Sequence, residues 1–406
     1  MGGIIQRIGN IVTDTGSGGK APYLSRTISI KLKGTRTTQT PSRLINNQEI
    51  NAKMNAPSEA PLDSIAGIVE IKLNSKTLTN LDRFLKNVTV RTRKFYPTFA
   101  YFPMKGLYIN PTNDANKIIH SYNYNEQEAL LDKLIDAFSI TRFNTFIVPP
   151  LNIDQVSYQG LLKHTLARLE ALVRPMEMIV CVDPDYTDFI DLVKFVEHEF
   201  TDTGATKAIA IKARAYESHI STYRDFWNTF SNKETLVLHL GVDRALPDAF
   251  NLSGLHYSSL TLGDAFTVKL APRPHNNEDG QPRKFEDIED VTKIFERKSV
   301  AIRTIRELIN KNGREETIEN IVDNMGKIGS ENKENIRSSL LAMEHLDKVT
   351  DEKLKEAGIL TMSAISKVHE VVNSTKEFRY MRSFIKQADT RDYIKRKPDL
   401  KRYIGI

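Results

Sequence analysis

The sequence of 406 residues contains a single cysteine, Cys181. One cysteine excludes internal disulfide bonds and every zinc or iron–sulfur site that needs several cysteine ligands. No apolar run reaches the ~18 residues that a membrane-spanning helix needs. The first residues form neither the apolar region of a signal peptide nor a myristoylation motif. These absences predict a cytoplasmic protein without a membrane partner, and we assign no residues to a metal or a cofactor.

Glycine-rich phosphate-binding loops are missing too, both the turn of a dinucleotide fold and the P-loop. Between residues 124 and 271, helical stretches alternate with short apolar runs at 145–150, 178–183, 207–214 and 235–241. Strands of this kind are buried on both faces, which is typical of a parallel sheet with helical crossovers. Four or five such units, with strands before and after them, predict an α/β fold of the (β/α)8-barrel type.

The sequence pattern divides the chain into three parts. Residues 1–20 are rich in glycine and polar residues, which predicts a flexible arm. Residues 21–283 are predicted to form the barrel-like domain, with extended stretches at its start. Residues 284–406 are predicted to form a helical domain, because apolar residues recur at helical spacing over 288–309 and Gly313 can cap that helix.

The net charge of +6 is unevenly distributed. Residues 1–110 carry +10 and residues 376–406 carry +6, so residues 111–375 carry −10. Basic ends around an acidic centre indicate an anionic partner, nucleic acid first, although an uneven solvated surface has the same composition. Tyr393 and Tyr403 are interleaved in the tail as stacking candidates. The tail residues predicted to contact nucleic acid are Lys395, Arg396, Lys397, Lys401 and Arg402.

In a barrel, catalytic side chains lie where strands end and the following loops begin. The strand over 207–214 has small residues followed by Lys212 and Arg214 on one face, which fits a crowded lumen that opens at its C-terminal rim. The other predicted strand ends lie near 183, 241 and 259. They supply Asp183, Asp243 and Asp264 as catalytic carboxylates, and His239, His256 and Tyr257 as substrate-binding residues beside Lys212 and Arg214.

Each of these candidates has a structural alternative. Asp183 is followed by Pro184 and can begin a turn, or it can close an ion-pair network with Lys212 and Arg214. His239 lies inside a strand, where a core histidine is the common case. Asp243 follows Gly241-Val242 at a strand end and Asp264 follows Gly263, and an aspartate at such a position can also be a helix or turn cap.

The order of these parts resembles the tRNA-guanine transglycosylase superfamily, including its DNA-modifying relatives. The similarity covers about residues 27–275. It rests on Gly34-Thr35-Arg36 leading to Thr40-Pro41, on Ile179-Val180-Cys181-Val182-Asp183, on Leu238-His239-Leu240-Gly241-Val242-Asp243-Arg244 and on the stretch from His256 to Asp264. The cysteine-rich zinc site and the Asp-Ser-Gly-Gly-Phe-Gln loop of that family are absent. The resemblance implies exchange of a guanine base in nucleic acid, with Asp264 or Asp243 as the nucleophile and Asp183 in base recognition or acid–base catalysis.

Three functions remain open from the sequence. The first is a nucleic-acid-modifying enzyme of the transglycosylase type. The second is a non-catalytic nucleic-acid-binding or assembly subunit on a barrel scaffold, acting as a homo-oligomer or within a complex. The third is a small-molecule lyase or aldolase that forms a Schiff base through Lys212.

Overall fold

The structure is a computed structural model, and it describes most of the chain. The described residues are 4–18, 22–34, 37–50, 64–93, 102–186, 189–214, 219–246, 251–261, 263–270, 288–325, 334, 337–338, 340 and 362–406.

The chain begins with a three-stranded antiparallel sheet of β1 (Ile5–Ser17), β2 (Pro22–Leu32) and β3 (Thr37–Gln39). The prediction of a flexible arm over residues 1–20 is therefore wrong for its described part, because β1 pairs with β2 over most of its length. Ile5 and Ile8 are almost fully buried. Burial of these two isoleucines stabilises the ordered strand, although the segment as a whole is rich in glycine and polar residues.

The barrel follows as one parallel sheet of nine strands that is nearly closed on itself. The two edge strands of this sheet, β4 (Ser42–Arg43) and β5 (Ile45–Asn46), are consecutive in the chain. β4 pairs with the last strand of the sheet, β12 (Ala265–Val268), and β5 pairs with the strand that follows it in the chain, β6 (Ala66–Leu73). This arrangement confirms the predicted (β/α)8-type barrel. The other strands are β7 (Met104–Pro111), β8 (Thr145–Val148), β9 (Glu177–Val182), β10 (Ala208–Lys212) and β11 (Leu236–Val242).

Helices surround the barrel, and several begin at a capping side chain. Asn123 and Glu126 form a reciprocal capping box at the start of the fifth helix, and Asp154 caps the sixth. Such caps satisfy backbone N–H groups that have no partner inside the helix. The helices of this part are α1 (Asn47–Ile50), α2 (Ser75–Thr79), α3 (Leu81–Thr92), α4 (Asn113–Ser121), α5 (Tyr124–Ser139), α6 (Gln155–Glu170), α7 (Phe189–Val196), α8 (Ile220–Phe230) and α9 (Gly254–Ser258).

The two faces of β10 behave as their sequence predicts. Ala208 and Ala210 belong to the apolar cluster inside the barrel, whereas Ile209 and Ile211 pack into the cluster between the strands and the helices. The same inner cluster contains Ile28 and Ile30 of β2, so the N-terminal sheet closes one end of the barrel. Because β1 and β2 reach the end where strands start, the lumen can open only at the carboxyl ends of the strands.

The C-terminal region is helical, with one interruption. The predicted helix over 288–309 is instead a short helix, a β-hairpin and a second helix that ends at Gly313, whose φ is +87°. The elements are α10 (Ile288–Val291), β13 (Lys293–Glu296), β14 (Ala301–Thr304), α11 (Ile305–Asn312), α12 (Arg314–Asp323), α13 (Met362–Ile385), α14 (Thr390–Lys395) and α15 (Pro398–Ile404).

These last helices pack directly on the barrel. Phe378, Tyr393 and Ile404 share one buried cluster with the outer faces of the barrel strands. α13 also contacts β4 and β2. The basic tail is therefore part of the packed fold. Among the described helices, none is long and apolar enough to cross a membrane.

Candidate active site at the barrel mouth

Four polar side chains follow the inner apolar positions of four different strands. Glu70 comes two residues after Ile68, Asp183 two residues after Cys181, and both apolar residues belong to the inner cluster. Asn110 follows Tyr108 and Lys212 follows Ala210 in the same way. Because side chains alternate along a strand, all four face the lumen near the carboxyl ends of the strands. This end of the lumen is the barrel mouth, where barrel enzymes carry their chemistry.

Asp183 is the centre of an ion-pair cluster at the mouth. Arg214 donates to it twice, from Nε to Oδ1 at 2.9 Å and from Nη2 to Oδ2 at 2.6 Å. Nζ of Lys212 lies 3.3 Å from Oδ2. The Asp183 side chain is fully covered, whereas Lys212 and Arg214 keep 16% and 29% of their side-chain surface exposed. A ligand at the mouth can therefore contact the two cations, whereas Asp183 lies beneath them and fixes their positions.

The charge state of Asp183 follows from this cluster. Burial alone raises the pKa of a carboxyl group, but the hydrogen bonds from Arg214 and the charges of Lys212 and Arg214 outweigh it and hold the pKa below its ordinary value. The pKa of Arg214 is raised: burial opposes the shift, and the hydrogen bond and charge of Asp183 outweigh burial. Asp183 is therefore a permanent anion at physiological pH.

A second layer fixes Arg214. Its Nη2 atom lies 2.8 Å from Oδ2 of Asp185, whose other oxygen lies 2.8 Å from Nε2 of His219. The hydroxyl of Tyr223 accepts from the backbone N–H of Arg214 at 3.3 Å. Tyr223 is buried under the strands, so it anchors the backbone where β10 ends.

The pKa of Glu70 is shifted in the opposite direction from that of Asp183. It is 8% exposed, and Nδ2 of Asn110 donates to its Oε1 atom at 2.8 Å. Burial raises the pKa of Glu70 above its ordinary value, and the Asn110 hydrogen bond and the charges of Lys72, Lys212 and Lys269 only partly offset that rise. Glu70 therefore holds its proton to higher pH than a solvated glutamate.

The two carboxyl groups belong to one site. The charge on Lys212 affects the pKa of both Glu70 and Asp183. The buried phenol of Tyr108 is affected by both carboxyl groups, so it lies beneath them in the lumen. The Cys181 thiol lies 3.9 Å from the Tyr108 hydroxyl, and burial raises the thiol pKa to about 12. Cys181 is thus part of the apolar floor, and its thiol stays protonated.

Asp243 follows β11 at the edge of the mouth. Its side chain is 58% exposed, and Oδ1 lies 3.4 Å from Nζ of Lys269, whose side chain is 66% exposed. An ion pair this exposed adds little stability, so both groups remain available to a ligand.

The predicted rim position of Asp264 is wrong. The sequence predicted a strand over 255–259 with Asp264 after it, but 254–258 is the helix α9 and the strand is β12, which begins after Asp264. Asp264 therefore lies at the opposite, amino-terminal end of the barrel. There it is fully buried, binds Arg26 through Nε–Oδ1 at 3.0 Å and Nη2–Oδ2 at 2.5 Å, and accepts from the Val237 N–H at 2.8 Å. A carboxylate with these partners holds the structure together.

Three further candidates lie away from the mouth. His239 is 1% exposed and points outward from β11, between the rings of Tyr223 and Phe266. His256, on α9, is stacked between two phenylalanine rings, and burial lowers its pKa well below the ordinary value, so it is neutral. Tyr257 packs edge-on against Tyr403. Their predicted contact with substrate conflicts with these buried positions.

The five tail residues divide into two groups. Lys397 is 6% exposed: its Nζ lies 2.6 Å from Oε1 of Glu377 and donates to the Arg297 carbonyl at 2.9 Å, so it is structural. Tyr393 is also fully buried and cannot stack on a base. The exposed cations are Lys395, Arg396, Lys401 and Arg402.

A metal site was not predicted, and one described cluster has suitable ligand types. Glu128, Asp132 and His164 bring ligand atoms within 4.8 Å of one another on α5 and α6. Nε2 of His164 already lies 2.9 Å from Asp132, and Arg168 donates to the same oxygen at 3.0 Å. These contacts make the cluster a surface ion-pair network outside the barrel mouth.

The sequence analysis missed Glu70 and Asn110. The available signal was the alternation in β6, where Glu70 shares a face with Ile68 in the middle of a largely apolar strand. A carboxyl group on the inner face of a buried strand is costly unless it is partnered, and such positions cluster at functional sites.

The comparisons with known proteins add little to this description. No protein-family model matches the chain, and no curated protein matches it. Among solved structures, it is similar to a fungal β-1,4-galactanase, with a TM-score of 0.32 and 10% sequence identity over 56% of this chain and 83% of that one. A similarity of this size carries no information on activity.

Proposed function

We propose that the protein is an enzyme that exchanges a base at a glycosidic bond of nucleic acid, with the barrel mouth as its active site. The observation that carries the proposal is the pair of buried carboxyl groups, Glu70 and Asp183, whose pKa values shift in opposite directions within one lumen. Separated pKa values divide carboxyl groups into an acid and a fixed anion. Glycosidic chemistry uses both, because the leaving group needs a proton and the sugar carbon develops positive charge.

The proposed roles follow accessibility. Asp243 is the exposed carboxylate at the mouth, so it attacks the sugar carbon while the bond from that carbon to the base nitrogen breaks. The bonding electron pair goes to the departing base, which takes the proton of Glu70. An incoming base then displaces Asp243 and returns a proton to Glu70, so the cycle closes without an oxidant or a reductant.

The remaining groups bind substrate. Lys212 and Arg214 present partly exposed cations that suit a phosphate, and Lys72 and Lys269 add positive charge around Glu70. Asp183 is a positioning residue, because its covered carboxylate holds Lys212 and Arg214 and has no exposed surface of its own. The target nucleotide would leave its stack to reach such a lumen. The resemblance to the tRNA-guanine transglycosylase superfamily supports guanine as the base, and we place the reaction in the cytoplasm.

The direct test is incorporation of radiolabelled guanine into tRNA and into single- and double-stranded DNA. We expect Glu70→Gln and Asp243→Asn each to reduce the rate by about 10²–10⁴-fold. Asp183→Asn should mainly raise KM, because it loosens Lys212 and Arg214. Asp225→Asn, at an exposed position on α8, is the matched control and should match the wild type. Undiminished exchange in both Glu70→Gln and Asp243→Asn, or no incorporation by the wild type into any of these nucleic acids, contradicts the proposal.

A second candidate function is nucleic-acid binding without catalysis, as a subunit of an assembly. The observation that favours it is the group of exposed cations on α14 and α15, Lys395, Arg396, Lys401 and Arg402. A protein that binds tRNA or DNA in a gel-shift series, with a steep negative dependence on salt, but exchanges no base would support this alternative.

A further inference from the structure

A cavity in the C-terminal region plays no part in the proposed function. It lies between the β13–β14 hairpin and the helices α11, α12 and α13, and its volume is about 320 Å³. Ligand-binding pockets usually measure ~300–1,000 Å³, so a volume at the lower end suits one small molecule. None of the residues that line it belongs to the barrel mouth.

Two buried side chains on the α13 wall of this cavity have polar atoms without partners. His369 is 4% exposed and Asn373 is 1% exposed. Within the described part of the chain, neither Nδ1 of His369 nor Oδ1 of Asn373 makes a hydrogen bond. Buried polar atoms in folded proteins nearly always have a partner, so this pair on a cavity wall points to a ligand.

The orientation of the Asn373 amide is fixed by its other contacts. Its Nδ2 atom donates to the carbonyl oxygens of Asn324 at 3.0 Å and His369 at 2.8 Å. The remaining Oδ1 atom is therefore an acceptor for a donor on the ligand. Burial lowers the pKa of His369 to about 3, so its ring is neutral and offers one donor and one acceptor.

Most of the charged side chains that line the cavity form ion pairs. Nζ of Lys311 lies 2.6 Å from Glu296, and Nε of Arg297 lies 3.3 Å from Glu377. The charges left on the wall, Lys298 and Glu316, have opposite signs. Because most of these charges are already paired and the buried polar atoms of His369 and Asn373 are neutral, the cavity favours an uncharged ligand.

We propose that this cavity binds one uncharged nucleobase or nucleoside, with an N–H of the base donating to Oδ1 of Asn373. Amide side chains match the donor and acceptor edges of bases, as asparagine does with adenine in DNA complexes. Asn320 and Asn324 place two more amides at this wall, and Phe295, Leu308 and Ile321 are among its apolar residues.

The test is calorimetric titration of the full-length protein with adenine, guanine, adenosine, guanosine and uridine. Hydrogen exchange with and without the ligand locates the site. We expect binding of at least one of the five, with protection in α12 and α13, and at least a tenfold loss of affinity in Asn373→Ala. Asn320→Ala, at an exposed position on the same wall, should also weaken binding, whereas Asn228→Ala on the surface of α8 should not.

Three outcomes overturn the proposal: no binding of any of the five at millimolar concentration, protection confined to the barrel strands, or wild-type affinity in both Asn373→Ala and Asn320→Ala. If Asn373→Ala does not fold, Asn320→Ala and the exchange map of the wild type decide. Glu70→Gln should keep the ligand-induced protection of α12 and α13 whatever its effect on binding at the barrel mouth, so failure of this site and failure of the proposed base exchange can be told apart.

Discussion

Two aspartate–arginine pairs lie at opposite ends of the barrel, and only one of them can meet a ligand. Asp264 and Arg26, at the amino-terminal end, have no exposed side-chain surface. Arg26 also donates to the carbonyl oxygens of Phe230 and Thr235, both at 2.5 Å. Asp183 at the mouth is equally covered, but its partner Arg214 is 29% exposed and the neighbouring Lys212 is 16% exposed. Accessibility of the cation, not the presence of the pair, separates a structural contact from a binding site.

The largest effect is expected at the closed end. Asp264→Asn leaves Arg26 buried without its counter-ion, and breaking a buried pair in this way costs about 3–5 kcal/mol of unfolding free energy. Urea unfolding followed by circular dichroism measures it. The double variant Arg26→Met/Asp264→Leu removes both charges and should recover part of the loss. A cost for Asp264→Asn no larger than that for Asp183→Asn would break the comparison.

The second prediction concerns Glu177, also at the closed end, which accepts from the N–H of Ile4 at 3.2 Å. Burial raises its pKa to about 7 from an ordinary value of 4.5. Below pH 4.5 the carboxyl group is protonated in both states and has no effect on stability. As pH rises from 4.5 to 7 the unfolded chain ionises first, so the wild type loses up to about 3 kcal/mol relative to Glu177→Gln. Parallel stability curves for the two proteins between pH 4 and 8 would contradict this.

The third prediction concerns Asp183 at the open end. Its substitution by asparagine should cost about 1–3 kcal/mol, because Lys212 and Arg214 can reach water once the carboxylate is gone. The pKa of Asp183 is depressed in the folded state, so its contribution is present above the ordinary aspartate pKa and is lost as pH falls below it. Thermal unfolding of both proteins at pH 7 and pH 3 should show a smaller difference at pH 3. Lys212→Met, which leaves Arg214 in place, should have a smaller effect than Asp183→Asn at pH 7.

The smallest effect on stability is expected in the C-terminal helices. Replacing Lys395, Arg396, Lys401 and Arg402 together by glutamine should change the unfolding free energy by less than about 1 kcal/mol, because all four side chains are exposed and exposed ion pairs, such as that of Arg396 with Asp392, add little stability. Lys397→Gln should cost more, since it removes a buried cation that lies 2.6 Å from the buried carboxylate of Glu377. If these four cations contact phosphate, the quadruple variant lowers the salt slope of tRNA or DNA binding. An unchanged slope would exclude this surface from binding.

The sequence predicted the barrel because its evidence was repeated along the chain. Several strands of about five apolar residues alternate with helices, and the regular repetition of this strand–helix unit supports the assignment of each strand. Lys212 was placed correctly because the small alanines before it and the isoleucines between them left one choice of face. Asp264 was misplaced because the sequence of the short helix α9 was taken for the last strand, which put that strand before the aspartate instead of after it.

Other features depended on contacts that no local pattern encodes. Lys397 and Lys395 are two residues apart in the same basic tail, but only Lys397 meets the buried carboxylate of Glu377. In the sequence, Glu70 is only a polar residue within a strand. Its role at the mouth becomes visible once the fold brings Asn110 and the lysines of the mouth close to it. Burial of a charged side chain is decided by the partner that the fold brings to it.

The central claim is that Glu70 and Asp183 form an acid and a fixed anion in one lumen. The most direct measurement is the pH titration of their side-chain carboxyl carbons by nuclear magnetic resonance, assigned with Glu70→Gln and Asp183→Asn. We predict that Glu70 titrates above the ordinary glutamate pKa, that Asp183 titrates below the ordinary aspartate pKa, and that Lys212→Met raises both. Two carboxyl groups that titrate at ordinary values, or in the reverse order, would contradict the account.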